Sequence, residues 1–361
     1  MHTILFKRTT FEMNIDKLIQ NTSVANRSGW HSLPFGEGRG GSSLSILIAT
    51  YNTAEYLPQC LDSLLAQTYE DWEAVCIDDC STDNSLAILN DYASRDERFK
   101  VIHLDRNQGQ AKARNKGIES CTGDYVCFLD NDDWFAPDSI EKIIATFHNN
   151  PNADSVLFKC VKVHSDGRKE EFVNQSSFPL TGKEAFEKSL DWSIHGIYAT
   201  RMDIQRKYHY DDTCRSFSDD NTTRLHFLAS REVHLSDAIY YYRQNPESVS
   251  HKIDIRRFDF LIANKHMQEM LQDMHADKSL LDLHERVRWF NLIGCTRLYI
   301  CHKNSFSKDE QSYIISLLRT IWNDIDTSVL PLSIRFKPAY MPLHPFWWLF
   351  YLQEYIYTKL I

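Results

Sequence analysis

The sequence holds no run of about 18 consecutive apolar residues, so no segment is expected to cross a bilayer as a helix. It also lacks a basic block. Forty Lys and Arg against 49 Asp and Glu leave a formal charge of −9, the wrong sign for a surface that must neutralise nucleic-acid phosphates. Nine cysteines are present, but no CxxC pair and no His/Cys cluster at zinc spacing, which excludes the common zinc modules. The set is odd in number and irregular in spacing, with Cys76 and Cys127 inside apolar runs. That pattern reads as buried thiols in a reducing, cytoplasmic compartment. A secretory leader is not expected either, because Lys7, Arg8, Glu12 and Asp16 interrupt the first residues. No internal repeat is evident.

What is present is an alternation of two periodicities. Residues 1–42 are polar and, towards their end, glycine-rich, the composition of a flexible extension with at most a short helix near Met13 to Gln20. Leu44 then begins SILIAT, a β-branched run of the kind that forms a buried parallel strand. Leu57, Leu61, Leu64 and Leu65 follow at helical spacing, with Pro58 tolerable in a first turn. WEAVCIDD, VIHL and YVCFLD read as three more strands, separated by helical patterns around Leu86 to Tyr92 and Gly109 to Glu119. Another helix opens at Pro137 and Asp138. Beyond it, a strand over 155–163, short helices near 183–190 and 221–229, and short strands near Val233 and Tyr240 are expected. Residues 256–322 carry a helical period. The pattern predicts a mostly parallel α/β sheet with helices on both faces over 43–250, then a helical appendage over 251–361.

In such a sheet, ligands bind beyond the carboxyl ends of the strands. Thr50, Tyr51 and Asn52 end the first strand and Asp78 and Asp79 the second. Asp130, Asn131, Asp132 and Asp133 end the fourth, while Asn107, Gly109 and Arg114 follow the third. Polar groups far apart in sequence therefore converge on one rim. Two carboxylates two residues apart, Asp130 and Asp132, can present oxygen ligands to a divalent ion, which offsets charge on a departing diphosphate. An acidic loop at a strand end is also simply soluble, so the motif alone leaves both readings open. Asp79 is either a partner for a base N–H or ribose hydroxyl or a cap for the following helix. Arg114 either faces phosphates or lies solvated on its helix. Asp219 and Asp220, just before a helix, are candidates for the base that takes a hydroxyl proton, with capping as the plainer alternative.

In their order, SILIATYNTAEYLPQCLDSLLAQTYEDWEAVCIDDCSTDNS and NQGQAKARNKGIESCTGDYVCFLDNDDWFAPDSI resemble the family 2 inverting glycosyltransferases of the GT-A fold, of the bacterial surface-polysaccharide type. The resemblance covers residues 43–150 strongly and about 155–250 more loosely. It implies Thr50 and Tyr51 against a uracil or ribose and Asp79 on the base. It implies a metal-and-ribose motif at Asp130 and Asp132, with Asp132 the direct ligand and Asp133 structural. It further implies catalysis at Asp219 and Asp220, with Asp220 favoured although the family often has Glu-Asp there. Arg243 or His251 would reach the diphosphate or metal. Trp192 and His195 fall where an acceptor would bind, an exposed aromatic beside a histidine, unless the Trp is buried under the sheet. Manganese or magnesium would be the cofactor, a uridine diphosphate sugar the donor and a glycan or lipid-linked hydroxyl the acceptor.

The closing PFWWLFYLQEYIYTKLI, after Arg335 and Lys337, is either an interfacial membrane helix or a helix docked on the appendage. The first would place the protein in the cytoplasm at the inner face of the membrane. Two other classes compete with transfer. A nucleotidyltransferase would place a glycine-rich basic loop after the first strand, where ATYNTAEY stands. A non-catalytic nucleotide- or sugar-binding protein would need neither metal nor base candidates.

Overall fold

The computed structural model describes residues 43–214, 216–217, 219–244 and 253–360. The expected extension over 1–42 and its short helix, and His251, lie outside the described residues. By packing, the chain divides into two units. One holds residues 43–212 with 222–244, and the other holds described residues of 213–221 and 253–360.

The first unit is built on one sheet. Its opening strands are β1 (Leu44–Thr50), β2 (Trp72–Asp78), β3 (Phe99–His103) and β4 (Tyr125–Phe128), and all four run parallel in the order β3-β2-β1-β4. Helices α1 (Leu57–Leu65), α2 (Ser85–Arg95) and α3 (Gln110–Ile118) connect them. β1 lies between β2 and β4, so the direction of the strand order reverses beside its carboxyl end. That reversal is where an open α/β sheet leaves a crevice.

Alternation along each strand sorts the core into two layers. Ile46, Ile48, Ala74 and Cys76 pack with Leu57, Leu61 and Leu89 on one face. Leu47, Val75 and Ile77 pack with Ala113 and Ile118 on the other. No disulfide joins the nine cysteines, and burial pushes the thiol of Cys76 up to about 12. Close approach of α3 to the sheet depends on Gly117, where an added Cβ would lie 2.5 Å from Ile77 Cδ1 and 2.8 Å from Leu47 Cδ2.

The rest of this unit is mixed. Short β5 (Trp134–Phe135) and helix α4 (Ser139–Asn149) lead to β6 (Ala153–Val163), whose carboxyl end pairs with β7 (Lys169–Glu171). β8 (Leu180–Thr181) precedes α5 (Gly182–Leu190), and β9 (Tyr198–Arg201) precedes α6 (Met202–Lys207). The two short strands expected near Val233 and Tyr240 are one, β10 (Glu232–Arg243), after helix α7 (Asp219–Ala229). A register shift between Leu235 and Ile239 breaks its pairing with β6, and that bulge is what reads as a gap in the sequence pattern. The sheet continues from β4 through β9, β6 and β10 to β5, with β9 antiparallel to both its neighbours.

The second unit is helical: α8 (Asp259–Asp273), α9 (Lys278–His302), α10 (Lys308–Asp324), α11 (Leu332–Arg335) and α12 (Trp347–Leu360). Trp289 of α9, Ile314, Leu318 and Trp322 of α10, and Phe350 of α12 are buried. Among the described residues no helix is long and apolar enough to cross a membrane.

Candidate functional site

The rim at the reversal point is assembled from loops that fasten one another. Asn52, at φ +51, closes β1 in the left-handed region that Asn tolerates better than most residues. Its backbone N–H donates to Ser81 Oγ at 3.1 Å, and its Oδ1 accepts the Thr82 N–H at 2.7 Å. The loop after β2 is thereby pinned to the loop after β1. Asp79 is buried, and its two oxygens accept the backbone N–H groups of Gln108 at 2.7 Å and Gly109 at 2.8 Å. It neither caps the next helix nor stands free; it sets the path of the loop into α3. Gly109 turns there at φ +92, where a side chain would be strained. Asn107 donates from Nδ2 to the Asp79 carbonyl at 3.4 Å. Tyr51 projects beside this knot, 45% exposed, while the Thr50 hydroxyl is buried without a hydrogen-bond partner.

Arg114 corrects the expectation of a phosphate-facing or solvated side chain. It is 1% exposed and donates to Asp130 Oδ1 at 2.6 Å, with its guanidinium over the rings of Phe128 at 4.2 Å and Tyr210 at 5.3 Å. Gln110 Nε2 donates to the same Oδ1 at 2.9 Å. Gln110 escaped notice in the sequence. Its signal was the i,i+4 spacing to Arg114, which puts both on one face of α3. The pair fixes Asp130, and removing one partner of such a buried ion pair costs about 3–5 kcal/mol.

The acidic loop is held as firmly from β10. Tyr240 Oη accepts the Asp130 backbone N–H at 3.1 Å and donates to Asp133 Oδ2 at 2.8 Å, and Asp133 Oδ1 accepts the Arg243 N–H at 2.7 Å. Asp133 is therefore a structural anchor. Asn131 Nδ2 donates to the Ala49 carbonyl at 2.7 Å, tying the loop to β1. Arg243 donates from Nε to the Asp132 carbonyl at 2.9 Å and to Gln59 at 2.5 Å, with its guanidinium 4.9 Å from both the Tyr56 and Trp134 rings. It braces the loop. Burial and the adjacent carboxylates push both Asp132 and Asp133 above the usual range.

Among the described residues no cluster of three or more His, Cys, Asp and Glu forms a ready cation cage. Asp130 and Asp132 nevertheless supply carboxylate oxygens at one strand end. Two carboxylates completed by substrate phosphate are the donor set that hard divalent ions such as Mg²⁺ accept. A cation there would also offset the crowding of negative charge.

His195 is not the exposed histidine anticipated beside Trp192. His195 is 1% exposed, its Nδ1 accepts the Ile197 N–H at 3.1 Å, and its ring meets Phe172 edge-on at 5.2 Å. Burial lowers it to about 4, so it is a neutral core histidine and not a surface partner for Trp192. Trp192 is half-buried, with the Arg224 guanidinium 6.0 Å from its ring. Asp219 and Asp220 occupy the first turn of α7, half-buried, in the part of that helix assigned to the second unit.

A family model described as "Glycosyl transferase family 2" matches residues 45–212. Glycosyltransferase GlyG of Streptococcus pneumoniae is 30% identical over 57% of this chain and 72% of its own length. Putative glycosyltransferase EpsH of Bacillus subtilis is 31% identical over 60% of this chain, and the chain spans 65% of that relative. The crystal structure of the Staphylococcus aureus TarS fragment 1–349 in complex with UDP-GlcNAc superposes with a TM-score of 0.68 at 20% identity, over 88% of this chain and 90% of that one. At that identity the likeness establishes the fold, which is GT-A. The matched region contains the whole rim from β1 to the acidic loop, and this chain belongs to glycosyltransferase family 2.

Proposed function

We propose that the chain transfers a sugar, with inversion, from a nucleoside diphosphate sugar, uridine diphosphate being the favoured carrier, to a hydroxyl of a glycan or lipid-linked acceptor in polysaccharide or glycolipid synthesis. The observation that carries this reading is the immobilisation of Asp130 by Arg114 and Gln110 at the reversal of strand order. A buried cation aimed at one carboxylate oxygen pre-organises the acidic loop before any ligand arrives, so no reorganisation cost falls on the reaction.

On this reading the exposed Tyr51 ring stacks on the base, and the unpartnered Thr50 hydroxyl and Asp79 meet base and ribose. Each Asp79 oxygen keeps a second lone pair after accepting its backbone N–H. Asp130 and Asp132 would hold manganese or magnesium, which when bound supplies positive charge for the leaving diphosphate. Arg243 keeps the loop in place. The acceptor oxygen attacks the anomeric carbon as the bond to the β-phosphate oxygen breaks. The hydroxyl proton passes to Asp220, with Asp219 beside it, and the nucleoside diphosphate leaves. One displacement inverts the anomeric configuration. Trp192 is assigned to the acceptor side.

The test is release of nucleoside diphosphate from a panel of nucleotide sugars, with and without manganese and with glycan or lipid-linked acceptors. Metal-dependent release from one donor is expected, falling about a hundredfold or more in Asp132→Asn and likewise in Asp220→Asn, with donor binding spared only in the latter. A folded protein that binds a uridine diphosphate sugar and never releases its nucleotide would instead be a non-catalytic binding protein.

A further inference from the structure

Within the helical unit, α12 is apolar on opposite sides. At 100° per residue, Trp347, Phe350, Tyr351, Glu354 and Tyr357 share one face. That face is docked. The Phe350 ring lies 5.4 Å from Trp289 and 6.1 Å from Trp322, and Trp347 lies 5.6 Å from Trp322. Glu354 is fully buried, accepts the Arg297 Nε–H at 2.7 Å, and is raised by burial to about 6.

The other side carries Trp348, Leu352, Tyr355, Ile356 and Leu360. Trp348 is 62% exposed and Leu360 80% exposed. A surface helix ordinarily turns charged or polar residues outward. Here Lys359 is the one charged residue on that stripe.

Along the stretch of chain that carries the stripe, the charges outside the core have one sign. From Leu330 to Leu360 the bases are Arg335, Lys337 and Lys359, and the only acid, Glu354, is buried against Arg297. The chain as a whole is acidic, at −9. Lys337 lies near the docked side of the end of α12: its ammonium sits 4.6 Å from the Tyr340 ring, which lies 6.4 Å from Tyr357. Next to it Phe336 is 71% exposed. Exposed Trp348 and Tyr355 with Leu352, Ile356 and Lys359, on a helix of 14 residues too short to span, is the composition of a segment that lies in a lipid headgroup layer.

We infer that the outward face of α12, with Phe336 and Lys337, is an interfacial anchor for an anionic lipid surface. The inward face keeps the helix folded on the protein, so binding carries no cost of ordering it. This inference does not rest on the transfer reading, and its test needs no turnover.

The full chain is sedimented with phosphatidylcholine vesicles and with vesicles that also contain phosphatidylglycerol, while light scattering reads its mass without lipid. Expected is sedimentation with the anionic vesicles, weakened by salt, and loss of binding to background in Trp348→Glu with Leu352→Glu. Both positions are exposed, so the variant should keep the wild-type thermal midpoint and circular dichroism. Lys337→Ala with Lys359→Ala should weaken binding about thirtyfold. Equal sedimentation with neutral vesicles overturns the electrostatic half of the inference. Failure to bind either vesicle overturns it outright. In that case a dimer that the glutamate variant splits would assign the face to a second copy of the chain.

Discussion

At the carboxyl ends of β1, β2 and β4, nearly every polar side chain named above is fastened to another loop, whereas along the outward stripe of α12 large apolar side chains meet solvent. Asp79 accepts two backbone N–H groups, Asp130 a guanidinium and an amide, Asn52 the N–H of Thr82, and Asp133 a phenol and a backbone N–H. Trp348 is 62% exposed, Ile356 47% and Leu352 44%. The rim invests stability in holding acids at one place. The stripe leaves apolar surface exposed, which a protein with no use for it would have replaced by polar residues. On the two proposals above, each region departs from ordinary folding chemistry where it would meet a ligand.

The largest effects should fall where each region is anchored. Arg114→Ala leaves Asp130 buried without its cation and should cost about 3–5 kcal/mol in denaturant unfolding. Phe350→Ala should cost a similar amount, about 3–5 kcal/mol, by opening a cavity between α12, Trp289 and Trp322. If Phe350→Ala cost nothing, α12 would not be docked and the contrast would fail.

Acid should act on the first unit next. His195 and His226 are buried and held neutral by desolvation, each lowered from 6.5 to about 4. The unfolded chain therefore takes up protons first as pH falls. Their contribution is complete above about pH 6.5 and is lost between about 6.5 and 4, on the order of 3 kcal/mol for each residue. His226→Gln should flatten the midpoint-versus-pH curve in that window; an unchanged slope would mean that the ring titrates normally. The smallest effect belongs to Trp348→Glu, within about 0.5 kcal/mol of wild-type stability, because that side chain is mostly exposed.

The parallel half of the sheet was legible because its strands are short β-branched runs that end on acids, and the strand-end rule then located the rim. What could not be read is which polar side chains spend themselves on structure. Arg114 has the same sequence appearance whether solvated or buried under Phe128 and Tyr210. His195 sits in a loop-like stretch, and the Phe172 ring that meets it edge-on follows the β6–β7 hairpin, a non-local contact. β9 has four residues and inserts antiparallel between β4 and β6, a non-local pairing with no local signature. For α12 the docked alternative holds for the face of Trp347 and Phe350, and composition did not decide it because the stretch is apolar around most of its circumference. The position of Asp219 and Asp220 at the start of a helix was nearly readable, in its first turn rather than before it, but their use as a base depends on an acceptor that the sequence does not specify.

Ligand-induced thermal stabilisation by uridine diphosphate sugars, with and without manganese, tests the central claim most directly. At saturation near a hundred times the dissociation constant, a bound donor should add about 2.7 kcal/mol. The melting temperature should rise more with sugar nucleotide and manganese together than with either alone. That increment should disappear in Asp132→Asn. A folded protein whose midpoint no nucleotide moves, or a manganese increment that survives intact in Asp132→Asn, would contradict the assignment of the rim as a metal-assisted donor site.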